Sequence, residues 1–148
     1  MIIREVKKED IDNGLLEVYI EGYNHHHNGR PDIFRELTNE ELRKDLEDII
    51  NYFPTIVIEE DNKVVGYLTY KIKERHTKKL DVDQLVIHED YRGKGYGKKL
   101  MEEVKKIAIE ENCDRIELNC WMFNESALAM YEHIGFDKQR IMFEMKLK

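Results

Sequence analysis

Leu80–Asn112, LDVDQLVIHEDYRGKGYGKKLMEEVKKIAIEEN, is the stretch around which the rest of the chain is read. A strand-like alternation runs into the apolar Leu85-Val86-Ile87 and breaks at His88-Glu89-Asp90. The chain then crosses Arg92-Gly93-Lys94-Gly95-Tyr96-Gly97 and enters a long amphipathic helix on which Leu100, Val104, Ile107 and Ala108 share one face. Strand, glycine-rich turn and helix together present unpaired backbone N–H groups to an anion. Three glycines in five positions let that backbone approach a ligand where a Cβ would obstruct it. Arg92, Lys94, Lys98 and Lys99 add positive charge to the same turn. The stretch reads as a phosphate-holding loop.

Two common phosphate loops do not fit it. A Walker loop requires G-x-x-x-x-G-K-[ST], but five residues before Gly97 stands Arg92, and Lys99 occupies the Ser/Thr place. The dinucleotide fingerprint G-x-G-x-x-G is not met by Gly93-x-Gly95-x-Gly97, and the strand lies mid-chain rather than opening a βαβ unit.

Bulk properties narrow the class further. The 148 residues suit one domain, 1–148, with a core of its own. With 41% hydrophobic and 37% charged residues, the chain reads as soluble and globular. No apolar run approaches the roughly 20 residues of a membrane span, and MIIREVKKED is too charged for a signal peptide. Cys113 and Cys120 have no metal-type spacing and read as free thiols in a reducing compartment, so a cytoplasmic location is expected. A net charge of −7 argues against a nucleic-acid partner and suits a cationic amine. The run His25-His26-His27 is not expected to hold a metal, because adjacent side chains diverge on a helix or a strand. It is expected in an exposed polar turn.

Outward from the central stretch, Ile2–Val6 reads as a strand, and Asp10 is a candidate cap for a helix carrying Ile11, Leu15, Tyr19, Ile20 and Tyr23. Thr38-x-x-Glu41 is a capping box ahead of a second helix with Leu42, Leu46, Ile49 and Ile50, closed by Pro54. Thr55–Glu59 and Lys63–Lys73 flank Asp61-Asn62 as a hairpin. Arg115–Cys120 alternates as a strand, Asn124 caps a short helix Glu125–His133, and Phe136–Lys148 supplies one or two final strands. This order is an α+β or mixed-sheet α/β pattern.

Arg92-Gly93-Lys94-Gly95-Tyr96-Gly97 is similar to the R-x-x-G-x-G loop of the GNAT family of N-acetyltransferases, which holds the acetyl-CoA pyrophosphate. Asn124-x-x-Ala127-x-x-x-Tyr131-x-x-x-Gly135-Phe136 resembles a second segment of that family, and Arg140–Leu147 its final strand. The resemblance covers roughly residues 54–148. It implies an α/β (α+β) fold: a mixed, mostly antiparallel central sheet flanked by helices and splayed between the fourth and fifth strands.

The resemblance also implies an acetyl-CoA-dependent N-acetyltransferase acting by direct transfer in a ternary complex, with no metal. It sets the cofactor arm along Leu85, Val86 and Ile87, with the Val86 N–H serving the developing oxyanion. The pyrophosphate falls on the loop from Arg92 to Lys98, and Asn124 and Ala127 contact the cofactor. Tyr131 protonates the leaving thiolate. Some relatives that acetylate protein N-termini carry a glutamate where this chain has Asn119. Glu117, on the same strand face, is therefore the first candidate base, with Asp81, Asp83 or a water chain as alternatives. His27–Phe34 and Trp121 are candidate walls of the acceptor cleft. A small amine is the expected acceptor; a protein lysine or N-terminus, or a non-catalytic acyl-CoA-binding role, are the alternatives. A homodimer is compatible with the reading.

Overall fold

The computed structural model describes all 148 residues and is organised on one five-stranded sheet of order β1-β2-β3-β4-β5. Strands β1 (Ile2–Glu5), β2 (Thr55–Glu60), β3 (Lys63–Glu74) and β4 (Lys78–Ile87) pair antiparallel in sequence, and β5 (Arg115–Leu118) joins β4 in parallel. The strand period of two sorts side chains between the faces. Ile56, Ile58, Leu68, Leu80 and Val82 pack on Leu100, Met101, Val104 and Ala108 of helix α3 (Tyr96–Glu110). Val57, Val64 and Tyr67 pack on the opposite face, against Leu15, Val18 and Tyr19 of α1 (Leu15–Gly29) and Leu42 and Leu46 of α2 (Asn39–Tyr52). Helix α4 (Glu125–His133) lies on the α3 face through Tyr131. Full burial of each such aliphatic side chain contributes about 1.5–3 kcal/mol. The mixed, mostly antiparallel sheet flanked by helices is the architecture expected.

Local signals were read correctly where they are chemically complete. The Thr38 hydroxyl accepts from the Glu41 N–H at 3.2 Å and starts α2. Asp61 and Asn62 take φ of 53° and 64°, the paired left-handed conformation of a two-residue hairpin turn. Asp10 is a correction: it lies in a 3-10 turn, Lys8–Asp12, and α1 begins only at Leu15, behind Gly14 with φ 103°. Its carboxylate instead accepts from the Lys7 N–H at 2.7 Å and from both terminal nitrogens of Arg4 at 2.9 Å. The histidine run is a second correction, since α1 continues through it to Gly29. The third is the C-terminus. Residues 137–148 form no strand and make no backbone–backbone hydrogen bond, since no strand of the sheet pairs with them; their side chains meet the end of α1, where Arg30 pairs with Glu144 at 2.8 Å and Asp32 with Lys146 at 3.9 Å.

One irregularity positions everything that follows. Between β3 and β4 the register runs Thr69↔Gln84 and then Tyr70↔Val82, so Asp83 is an extra, bulged residue. The bulge resets the alternation, and Val82 and Leu85, three apart, both face α3. Strand β5 pairs only with Lys79–Val82 and stops at Leu118. The remaining five residues of β4, Asp83–Ile87, have no neighbour on that side. This is the expected splay.

The Asp10 cluster makes the first prediction. Burial alone raises this carboxyl, but the hydrogen bonds from Arg4 and Lys7 outweigh it and hold the group below the usual carboxylate range. A depressed folded-state value means stability that is complete above about pH 4, the unfolded value, and is lost as the pH falls through the folded one. Asp10→Asn leaves Arg4 with Glu59 as its remaining carboxylate partner and is expected to cost about 1–3 kcal/mol, the usual penalty for losing a buried hydrogen-bonded group, and to flatten the acid side of the stability curve. Urea midpoints from pH 7 to 3 check it; parallel curves for variant and parent would show that Asp10 does not carry the acid sensitivity.

Candidate active site

The glycine-rich turn leads into α3 with its backbone exposed. Gly93 and Gly95 both have φ of 79°, and a Cβ at either would meet nothing within 4 Å, so the backbone faces open space. Gly95 is the N-cap of α3 and supplies no side-chain cap. The first hydrogen bond of the helix runs from the Lys99 N–H to the Gly95 carbonyl at 3.0 Å, which leaves the N–H groups of Tyr96, Gly97 and Lys98 unpaired at the positive end of the helix. Lys94, Lys98 and Lys99 are exposed. The nearest partners of Lys94 and Lys99 are the rings of Tyr91 and Tyr96, at 5.0 and 5.5 Å. Arg92 differs: its Nε donates to the Ile87 carbonyl at 3.0 Å and its Nη2 pairs with Glu21 at 2.9 Å. It braces the turn.

That brace continues through His88, a link the sequence did not suggest. The imidazole is buried; its Nδ1 accepts from the Asp90 N–H at 3.1 Å, so the ring proton sits on Nε2, 3.1 Å from Glu17. The Glu89 N–H donates to Glu21 at 2.7 Å. Two carboxylates on one face of α1 thus fix the start of the loop.

Helix α1 also spans the gap between the parted strands. Gly22 lies against Val86 on β4, where a Cβ would stand 3.0 and 3.1 Å from the two valine methyls. Gly29, seven residues and two turns on, lies against Phe123, beyond β5, whose ring occupies the space a Cβ would need. Around this contact His25, His26, Phe34, Trp121 and Phe123 form an aromatic cluster, with Trp121 stacked on Phe123 at 24° and 6.1 Å. The Arg30 guanidinium sits 5.3 Å above the Trp121 ring. Phe34 and Trp121 lie together in this cluster, and Phe123 is a member that sequence reasoning missed.

On the other face of the sheet α4 presents Tyr131. Met130 packs on the first turn of α3, since a Cβ at Gly97 would lie 3.2 Å from its sulfur. Tyr131 stacks edge-on against Phe136 at 5.8 Å. Burial pushes its hydroxyl up to about 12, and the neighbouring Cys120 acts in the same direction. Asn124 is the N-cap of α4 by position, but its side chain makes no capping hydrogen bond, contrary to the expected cap, and its amide remains available. Ala127 is half-buried on the same helix.

Three carboxylates were candidate bases, and their environments differ. Glu117 binds Lys79 at 2.9 Å and also contacts Arg115 and Gln139; Lys79 and then Arg115 hold its carboxyl down at about 2. Asp81 pairs with Lys73 at 2.8 Å. Asp83, the bulged residue, has no cationic partner and accepts only from the Thr69 hydroxyl at 3.3 Å. Its surface is open on one side, yet the protein around the carboxyl raises its proton affinity, chiefly by desolvation; the Thr69 hydrogen bond opposes the rise, the charge of Asp81 adds to it and that of Lys73 reduces it.

Residues 17–136 match the model of the acetyltransferase (GNAT) family. The chain belongs to this family. Its curated relatives include the N-alpha-acetyltransferase MAK3 of Arabidopsis thaliana, 29% identical over 57% of this chain and 45% of the relative. The N-alpha-acetyltransferase 30 of Saccharomyces cerevisiae is 36% identical over 45% of this chain and 38% of the relative. The thialysine N-epsilon-acetyltransferase of Bos taurus is 27% identical over 49% and 44%. The chain thus spans less than half the length of these curated relatives. Among solved structures, a mutant of the BH1408 protein from Bacillus halodurans superposes with a TM-score of 0.87 at 23% identity, covering 100% of both chains. The glucosamine-6-phosphate N-acetyltransferase of Arabidopsis thaliana gives 0.69 at 22% identity, over 99% and 98%. These two likenesses concern the fold.

In this GNAT chain the width of the gap rests on Gly29, which yields the second prediction. Gly29→Val must displace the Phe123 ring and disturb the stacked Trp121, the only tryptophan. The expected result is a red shift of tryptophan emission with a loss of about 1–3 kcal/mol, the usual range for overpacking. Unchanged emission and melting temperature would show that the helix end does not set the position of Phe123.

Proposed function

We propose that this chain is an acetyl-CoA-dependent N-acetyltransferase that moves the acetyl group directly to a small primary amine. The observation that carries the reading is the alignment of two unfilled backbone sites: the unpaired edge of β4 at Asp83–Ile87 and the uncapped start of α3. An extended amide-bearing arm is suited to the first and a pyrophosphate to the second. In this arrangement the cofactor arm lies along Leu85, Val86 and Ile87, and the Val86 N–H receives the oxyanion. The pyrophosphate rests on the backbone of Gly93, Lys94, Gly95, Tyr96, Gly97 and Lys98, with Lys94 and Lys98 supplying free charge and Arg92 holding the loop. Asn124 and Ala127 flank the arm.

The transfer needs two proton movements. An ammonium acceptor must lose one proton before it attacks the thioester carbon, and the amide nitrogen loses a second as the C–S bond breaks. The second proton ends on the sulfur. Tyr131, protonated throughout the physiological range, donates its hydroxyl hydrogen bond to the departing thiolate and relays that proton. The first proton goes to Asp83. A carboxyl raised above its ordinary range and without an ion-pair partner is a better acceptor than Glu117, whose charge is already spent on Lys79 and Arg115. Asp83 projects on the same face as Tyr19 and Thr69, toward α1. The aromatic cluster at the end of α1 closes the far side of that cleft, which favours a small acceptor over a protein terminus, the acceptor named for the N-alpha-acetyltransferase relatives.

Thiol release from acetyl-CoA against polyamines, amino acids, amino sugars and N-terminal peptides tests the reading as a whole. Small amines are expected to give turnover and peptides little; turnover with peptides alone would assign the acceptor to proteins, and none with any amine, despite acetyl-CoA binding, would leave a binding module. Tyr131→Phe is expected to lower turnover about 10²–10⁴-fold with acetyl-CoA affinity retained. A normal rate in that variant would make Tyr131 a packing residue.

The base assignment has its own pH signature. The rate is expected to rise with pH through an apparent value above the ordinary carboxylate range, as Asp83 becomes the ionised acceptor. Asp83→Asn should remove that limb and cost about 10²–10⁴-fold, whereas Glu117→Gln should cost less than about tenfold. The reverse ranking would return the role to Glu117.

A further inference from the structure

The bulge that frees Asp83 brings a second polar side chain to the same face of the sheet. Asp83 accepts from the Thr69 hydroxyl at 3.3 Å, and Gln84, the next residue, meets the Tyr67 hydroxyl at 2.6 Å. Thr69 and Tyr67 stand two apart on β3 and share a face, the one that packs on α1. The Tyr67 side chain is fully buried, and Gln84 is its partner. Burial holds the proton affinity of that hydroxyl well above the usual tyrosine range, so it stays protonated and donates to Gln84 Oε1. The opposite arrangement, with the amide donating, would strand the hydroxyl proton in an apolar cluster.

With its carbonyl committed to Tyr67, half-buried Gln84 has its amide NH2 left to offer. That group is not sealed in, because no buried polar side-chain atom lacks a hydrogen bond. Gln84 also stands between the proposed base and Val86, whose N–H is assigned to the oxyanion. The surroundings are acidic. Asp81 and Asp83 on β4 and Asp45 on α2 act there, and Lys73, the cation opposing them, is paired with Asp81 at 2.8 Å. A second ammonium on an acceptor would meet the amide hydrogens, and a carboxylate would meet the negative field. A neutral oxygen suffers neither penalty. Resting on the N-acetyltransferase reading above, we propose that Gln84 selects the acceptor, its amide N–H donating to a hydroxyl or carbonyl oxygen carried a few bonds from the reacting amine. The favoured acceptors are then amino alcohols, amino sugars and amino amides rather than polyamines or amino acids. Tyr67 is the positioning residue that holds the amide in this sense.

Steady-state acetylation of ethanolamine and propylamine, which exchange a hydroxyl for a methyl, tests the assignment. The two amines differ in basicity, so the readout is how the ratio of their kcat/KM values changes between parent and variant. Gln84→Glu keeps an oxygen for the Tyr67 hydroxyl and removes the donor. The ratio is expected to fall about tenfold, the worth of one hydrogen bond, and ethylenediamine should gain on ethanolamine. Gln84→Met, with neither donor nor added charge, is the second variant and should lower the ratio equally should the first fail to fold by circular dichroism. Tyr67→Phe lets the amide turn and should lower it by a smaller factor, through a higher KM for ethanolamine. Effects on the base or on the fold act on both amines alike and cancel in the ratio. An unchanged ratio in a folded Gln84 variant that still turns over both amines would overturn the assignment and leave the acetyltransferase reading standing. A parent that prefers glycine to ethanolamine would overturn it too. No turnover of any small amine would bring down the assignment together with the reading on which it rests.

Discussion

Backbone groups inside a sheet find partners in the next strand, and at one partly exposed place in this sheet they do not. Strands β4 and β5 share only Lys79–Val82 and Arg115–Leu118 before separating. An unsatisfied N–H or C=O away from water costs free energy comparable to a lost hydrogen bond, so such an edge persists only if water or a ligand completes it. The helices are arranged around that vacancy. Helices α3 and α4 stand on one side with an uncapped N-terminus and a half-buried tyrosine, and α1 closes the other.

The bulge at Asp83 is the smallest change that makes the arrangement work. Without the extra residue, Asp81 and Asp83 would share one environment, as simple alternation implies. With it, Asp81 is left paired with Lys73, while Asp83 accepts from Thr69 and makes no ion pair. Asp83 and Glu117, both near the gap, are thus shifted in opposite directions, and the difference comes from neighbours rather than residue type. Glu117 owes its depressed value first to Lys79 on the adjacent parallel strand.

These distinctions explain what was readable in the sequence. The strand-turn-helix at Leu80–Asn112, the Thr38 capping box and the Asp61-Asn62 turn are self-contained: each residue's partner lies within a few positions. The splay and the closing helices followed from family resemblance carried by two motifs. The extent of α1 was not readable, because His25–His27 look like a polar break and become helical through contacts with Phe34 and Phe123. Asp10 carried a capping residue's chemistry, but its partner was Arg4 across the strand connection. The final strand was visible as an alternation, and its neighbour is absent from the single chain's own hydrogen-bond ladder. The base remained open because a register shift of one residue leaves no mark in composition.

Helix α1 is one rigid rod with duties at both ends. Near its start Glu17 and Glu21 hold His88, Glu89 and Arg92, and through them the attitude of the glycine turn. Near its finish Gly29 seats Phe123 and the aromatic wall. The stiffness of one helix thus sets the distance between two parts of the molecule that make no direct contact: whatever shifts Gly29 along its axis shifts Glu21 with it, eight residues and about 12 Å back.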